Sequence, residues 1–375
     1  MAHIKGLDGI RGIAISLVLI EHYYQHNQDT SGVVNHFFNG LQSAIQTGRA
    51  GVILFFILSG ILITGILLRL SRLVELGLIQ PEVAWKSFFI RRSLRIFPIY
   101  FISIAIFLML LPEYQKLLPW LISYTVNIAE VLRDLNFVAA DFGYMGHFWS
   151  LAIEEQFYLF LPIGILFFRG KIKQIFLCLL LISLLFSVSL PFLGFSYTVS
   201  SRMTIGGCSF ALLLGSLIAY LMSTDIPISA LKNWLLISGT PLFGYLTWLW
   251  IGNYGVGGIS TFYIAFVDIG MALFFAGLIL VILESKILGN IVDNIVLRWL
   301  GIISYGLYVY HMLLISFFPN IFKIFETLGI LVSEFSSLGI FFLKISIAVL
   351  LATFSYFFVE KPILKFRDKY FSSNF

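Results

Sequence analysis

The sequence predicts an all-α, polytopic membrane helical bundle of about ten transmembrane helices with both termini cytoplasmic. Three observations predict it. Of 375 residues, 59% are hydrophobic and only 11% are charged, whereas soluble domains run near a quarter charged. Phe alone contributes 39 residues, and mean hydropathy is +0.96. Apolar runs of spanning length recur along the chain, and ten spans of about 20 residues would occupy roughly 200 positions. A water-soluble enzyme and a disordered chain are both excluded.

The runs fall near residues 9–26, 51–68, 96–111, 148–168, 174–194, 203–222, 234–252, 261–283, 299–318 and 338–358. The first carries Arg11, Glu21 and His22. A cleavable signal core is uncharged, so this run reads as the first span. A further run near 117–132 is short and holds Asn127 and Glu130. If it does not cross, the basic groups Arg69–Arg95, Arg169–Lys173, Lys286–Arg298 and Lys361–Lys369 all fall on one side, as the positive-inside bias requires. If it crosses, the Arg169–Lys173 group moves outside and the pattern breaks. The segment therefore reads as re-entrant or surface-lying. Residues 1–375 read as a single membrane domain with no appended soluble domain. The net charge of +5 is the loop bias, not a nucleic-acid surface, because no basic domain interleaved with aromatics is present. Cys178 and Cys208 lie in apolar stretches and read as small core residues.

Polar residues inside spans are costly unless they face a protein interior or a wet cavity, so each is a candidate site. Arg11 and His22 are eleven residues apart, about three turns and roughly 16 Å of rise, on nearly one helix face. A snorkelling Arg with an interfacial His is the structural alternative. Arg91, Arg92 and Arg95 precede the third span; they read either as positive-inside anchors or as a phosphate site, since guanidinium groups grip phosphate in a bidentate manner. His147 to Tyr158 enters the fourth span from outside with Trp149, Glu154 and Glu155. Glu154 lies about 9 Å below Phe148, at a depth comparable with His22, and a convergent His and carboxylate suit proton transfer. A polar packing cluster is the alternative. Asp268 sits mid-span, able to pair with Lys344, and His311 lies within the ninth span as a packing or site residue. No nucleophile elbow, zinc-helix or P-loop motif is present, and no ligand cluster supports a metal.

These residues resemble a known family. Leu7-Asp8-Gly9-Ile10-Arg11-Gly12-Ile13-Ala14 with His22 is similar to the opening motif of the acyltransferase-3 family of integral-membrane acyltransferases. Gly51-Val52 and Leu54 to Thr64 resemble its second-span signature. Arg92-Ser93-Leu94-Arg95-Ile96-Phe97-Pro98-Ile99-Tyr100 resembles its R-x-x-R pattern. Trp149-Ser150-Leu151 with Glu154, Phe157 and Tyr158 resembles its W-S-L-x-x-E-x-x-F-Y pattern. Ser304-Tyr305-Gly306 with His311, and Val359-Glu360-Lys361-Pro362, complete the order. Ile53 departs from it, since many members carry a polar or acidic residue there.

The resemblance implies a ten-helix bacterial inner-membrane enzyme that uses an acyl-CoA, usually acetyl-CoA, to acylate a hydroxyl, mostly of a cell-surface or lipid-linked glycan. It implies functional roles for Arg11, His22, Arg92 and Arg95. The nucleotide phosphates would dock on Arg92 and Arg95 with Arg91 assisting, and Arg11 would line the channel for the pantetheine arm. His22 would deprotonate the acceptor or carry the acyl group, two routes the sequence leaves open. Glu154 would orient His22 or the sugar, Trp149 or Tyr158 would stack on a sugar face, and His311 would contribute to substrate binding. The donor could be succinyl instead, and the acceptor a non-glycan such as a macrolide. A secondary transporter of sugar or acyl intermediates predicts paired broken helices, which the sequence does not show. A non-catalytic scaffold gives no reason for pairing Arg11 with His22.

Overall fold

The computed structural model describes residues 6–24, 40–42, 45–139, 141–202, 206–224, 228–253, 261–332 and 335–370. Its main helices are α1 (Leu7–Tyr23), α2 (Thr47–Glu75), α3 (Pro81–Leu110), α4 (Val126–Asp134), α5 (Trp149–Phe167), α6 (Ile172–Phe192) and α7 (Gly207–Met222). They continue as α8 (Ile228–Asn253), α9 (Thr261–Glu284), α10 (Ile295–Ile302), α11 (Ser304–Thr327), α12 (Ser337–Ser355) and α13 (Lys361–Tyr370), with no strand among the described residues. Among the described residues, eight helical segments are long and apolar enough to cross a membrane. The first and seventh expected spans are also helices, α1 and α8. The 117–132 segment does not form a span: it breaks into a 3-10 turn at Pro112–Leu117, a turn of helix at Leu118–Ile122, and α4.

Apolar side chains are as welcome in lipid as in the core, so helix association here depends on close packing rather than on hydrophobicity. Small residues supply it around α1. A Cβ added at Gly12 would stand 2.1 Å from the Leu297 carbonyl oxygen, and one at Gly301 would stand 1.8 Å from that of Asp8. On the opposite flank, a Cβ at Gly51 would meet the Ala14 carbonyl oxygen at 2.5 Å. The backbone of α1 is therefore gripped between α2 and α10. The same device joins α2 to α7, where Cβ atoms at Gly60 and Gly215 would each come within 2.2 Å of the facing carbonyl oxygen. These contacts fix the height and rotation of Arg11 and His22.

The last described helix lies beside the arginines that precede the third span. The α13 carboxylate of Asp368 lies 3.9 Å from Arg91 on α3, and Arg367 shares a cavity with Arg69, Arg91, Arg92 and Arg95. The arginines preceding the third span and the chain's last helix thus share a face, as an even number of crossings requires. Cys208 is buried, whereas Cys178 is exposed on α6. The expectation of two core cysteines holds for Cys208 alone, because Cys178 falls on the outward face of its helix.

Candidate active site: three cavities in series

Three cavities follow one another along the bundle. The first, about 290 Å³, opens among Arg69, Arg91, Arg92, Arg95 and Arg367. The second, about 80 Å³, is a waist lined by Arg11, Ser59, Arg92, Arg95, Glu154, Glu155 and Tyr308. The third, about 580 Å³, is a chamber walled by Glu21, His22, Arg49, Glu130, Arg133, His147, Trp149, Arg202 and Tyr308. Arg92 and Arg95 border both the vestibule and the waist. Val52 and Tyr308 border both the waist and the chamber. Shared lining residues thus place the three cavities in order from the arginine-rich end of the bundle to His22.

Arginines line both the vestibule and the waist. Arg92 donates to the Tyr158 hydroxyl at 2.5 Å and lies over that ring at 4.3 Å. Among the described residues its Nε has no hydrogen-bond partner, and neither does Glu155 Oε1. Buried polar atoms are normally satisfied, so these two mark where water or a ligand supplies the missing bonds. Arg95 has neither a hydrogen bond nor an ion pair among the described residues. Arg11 pairs with Asp8 one turn earlier, at 3.4 Å.

The chamber is built from paired charges and rings. Glu21 accepts from Thr47 Oγ1 at 2.7 Å and from the Gly48 amide at 3.3 Å, which commits it to α2. Arg202 binds Glu130 and lies over the Trp149 ring at 4.9 Å. Burial holds the Glu130 carboxyl above the ordinary carboxylate range, with Arg202 pulling it down. Asn127 on α4 donates to the Arg202 carbonyl oxygen at 3.1 Å. Gln156 on α5 donates to Asn127 at 2.9 Å, so the α4 segment is clamped to the fourth span. Asp268 stands 3.7 Å from Arg49, not beside Lys344. Lys344 instead lies 5.6 Å over the Phe318 ring.

The structure separates residues that the sequence reading joined. Arg11, Arg92 and Arg95 meet in the waist, with Arg91 behind them in the vestibule, while His22 and Trp149 meet in the chamber. Glu154 belongs to the waist, where it accepts from Ser59 Oγ at 2.7 Å; it is not at the chamber wall beside His22. Rise along a helix sets depth but not rotation, and rotation turns this carboxylate toward α2. Tyr158 is buried, and its ring face is covered by Arg92, so it offers no sugar platform. His311 is fully buried and stands behind His22, with ring centroids 5.1 Å apart, without lining the chamber. His147, Ser59, Glu130, Arg202 and Arg367 were not singled out from sequence. Each flanks a span or sits in an apolar run, and only the packing of helices remote in sequence brings it to a cavity.

The fold and its cavities define an all-α, multi-pass membrane protein with clustered arginines lining one cavity and His22 lining another. The chain belongs to the acyltransferase-3 family, whose model, described as an acyltransferase domain, matches residues 4–357. It is 28% identical over 398 residues to a protein of Staphylococcus aureus strain COL named "putative O-acetyltransferase", covering 97% of this chain and 58% of that one. It is also 28% identical over 388 residues to a peptidoglycan O-acetyltransferase of Listeria monocytogenes serovar 1/2a, covering 97% of this chain and 56% of that one. The chain thus spans less than three fifths of the length of these relatives. No solved structure matches it.

Proposed function

We propose that the protein is a membrane O-acyltransferase that carries an acetyl group from a cytoplasmic acyl-CoA to a hydroxyl of a cell-surface or lipid-linked glycan across a bacterial inner membrane. The carrying observation is the series of three cavities that joins a five-arginine vestibule to the His22 chamber. Nucleotide phosphates need several cations at once, and Arg69, Arg91, Arg92, Arg95 and Arg367 face one cavity. The waist admits only a thin group, which suits the pantetheine arm of such a donor. The chamber, about 580 Å³ with Trp149 and the Glu130–Arg202 pair in its wall, has the size and the mixture of ring and hydrogen-bonding groups that a saccharide requires. The names of the relatives point the same way.

In this reading His22 takes the proton of the acceptor hydroxyl as its oxygen attacks the thioester carbonyl. The oxygen–hydrogen and carbon–sulfur bonds break, the ester bond forms, and the proton leaves on the thiol. Arg95, which makes no ion pair among the described residues, holds the donor at the boundary between vestibule and waist. The test is the O-acetyl content of the host's surface polysaccharide, read by proton NMR. A gene deletion, the deletion restored with wild type, and the deletion restored with His22→Ala are compared. Loss on deletion, rescue by wild type and no rescue by the variant are expected. Full rescue by His22→Ala at normal protein level removes His22 from the reaction. No loss on deletion removes the glycan acceptor.

A further inference from the structure

Behind His22 lies a second imidazole whose chemistry the proposed reaction has not yet used. His311, on α11, is fully buried. Its Nδ1 is 2.6 Å from the Tyr308 carbonyl oxygen. A carbonyl oxygen only accepts, so Nδ1 carries the proton and Nε2 presents a lone pair. That Nε2 has no hydrogen-bond partner among the described residues. An orphaned acceptor this deep is a cost unless something reaches it during function.

The neighbour in position to reach it is His22, whose ring centroid is 5.1 Å away at an interplanar angle of 45°. The register between the two helices is pinned one residue along, where the Tyr23 hydroxyl donates to the His311 carbonyl oxygen at 3.1 Å. Glu154, the carboxylate named for orienting His22, is bound to Ser59 in the waist, and the adjacent Glu21 is bound to Thr47 and Gly48. His147 is the third ring, 5.0 Å from His311. Its Nδ1 is 2.9 Å from the Tyr144 carbonyl oxygen, and its Nε2, also unpartnered, belongs to a ring of the chamber wall.

We propose that His311 is the positioning residue for His22. Its Nε2 accepts the N–H of the His22 ring nitrogen turned away from the chamber, leaving the other His22 nitrogen as a base toward the acceptor hydroxyl. A modest ring rotation closes the pair, and catalytic hydrogen bonds are commonly long before substrate binds. The proton stays on His22 throughout; His311 fixes the tautomer and stabilises the imidazolium formed when His22 takes the hydroxyl proton. The inference rests on the acyl-transfer reading, and two variants separate it from simple packing. His311→Asn keeps a donor for the Tyr308 carbonyl but removes the acceptor at Nε2. His311→Gln places an amide oxygen near that acceptor position.

The test uses the full chain in lipid nanodiscs, with acetyl-CoA as donor and a β-1,4-linked N-acetylglucosamine oligomer as probe acceptor. His311→Asn is expected to lower kcat on the order of 10- to 100-fold, part of the usual general-base contribution, with both KM values unmoved, and His311→Gln is expected to recover most of the loss. In the same sample, nitrogen-15 labelled histidine is expected to show a coupling across an N–H···N bond between the rings at 22 and 311. Wild-type kcat in His311→Asn, or equal loss in both variants, overturns the proposal. If wild type transfers nothing from acetyl-CoA, the acyl-transfer reading fails instead. The nitrogen coupling then decides the ring pairing by itself, its presence supporting the pair and its absence overturning it.

Discussion

Arg202→Ala removes the cation that binds the buried Glu130 carboxylate, leaving only the weaker pull of Arg133. Glu130 is 3% exposed, and its carboxylate binds Arg202. Breaking a buried pair from one side costs about 3–5 kcal/mol, because the remaining charge is left unpaired. The chamber gives this carboxylate some access to water, which favours the lower end, while the guanidinium over Trp149 at 4.9 Å contributes about another 0.5–1 kcal/mol. A loss of about 3–4 kcal/mol is therefore expected. It is read as a fall of several degrees in the thermal midpoint, followed by intrinsic fluorescence in detergent. Glu130→Gln combined with Arg202→Ala should recover most of it, since no charge is then stranded. Burial already holds the Glu130 carboxyl above its ordinary value, and losing Arg202 raises it further. The folded state then binds more protons than the unfolded state above the ordinary carboxylate range, so stability falls as pH rises there. The deficit of the single variant should be smaller near about pH 5 than near about pH 8. A single variant that melts with wild type, or a double variant as weak as the single, would refute the account of a stranded charge.

Two further changes probe the packing and the waist. Gly12→Val places a side chain where a Cβ alone would stand 2.1 Å from the Leu297 carbonyl oxygen. Backbone must move to admit it, and the amount of folded protein recovered by size-exclusion chromatography should collapse, whereas Ile13→Val, one residue along, should leave it near wild type. Tyr158→Phe keeps the ring beneath Arg92 but removes the acceptor at 2.5 Å. A hydrogen bond to a charged group contributes about 1.5–3 kcal/mol, so KM for acetyl-CoA should rise on the order of tenfold with kcat little changed; an unchanged KM removes Arg92 from the donor site.

Much of the fold is legible because lipid leaves the chain few choices: continuous apolar runs become helices, and eight of them satisfy span length and composition directly. The reading of 117–132 as a segment that does not cross came from charge placement alone, and its broken helices agree. That Arg11 and His22 lie about three turns apart on one helix is also readable, because the 3.6-residue period relates them; the structure puts Arg11 at the waist and His22 at the chamber. What joins different helices is not readable that way. Asp268 faces Arg49 rather than Lys344 because the helices bearing Arg49 and Asp268 meet through close packing that hydropathy does not encode. Glu154 turns toward Ser59 for the same reason. His147 is the instructive omission: it stands in the 3-10 turn Gly143–Phe148 just before α5, where a histidine reads as an interfacial residue, and only the arrival of α11 beside it reveals a cluster of rings.

The narrow middle cavity has an electrical consequence. A passage through a bilayer that admits part of a donor molecule risks becoming a leak, and a leak of protons or sodium would discharge the gradients on which the cell runs. At about 80 Å³, the constriction is bordered by Arg11, Arg92 and Arg95. Fixed guanidinium groups at the tightest point of a pore raise an electrostatic barrier to small cations, as arginines do in water-selective channels. In the proposed reaction the residues that attract a polyanionic donor would therefore also act as insulation: they would let a negatively charged molecule approach from one side while keeping the membrane closed to hydronium and metal ions.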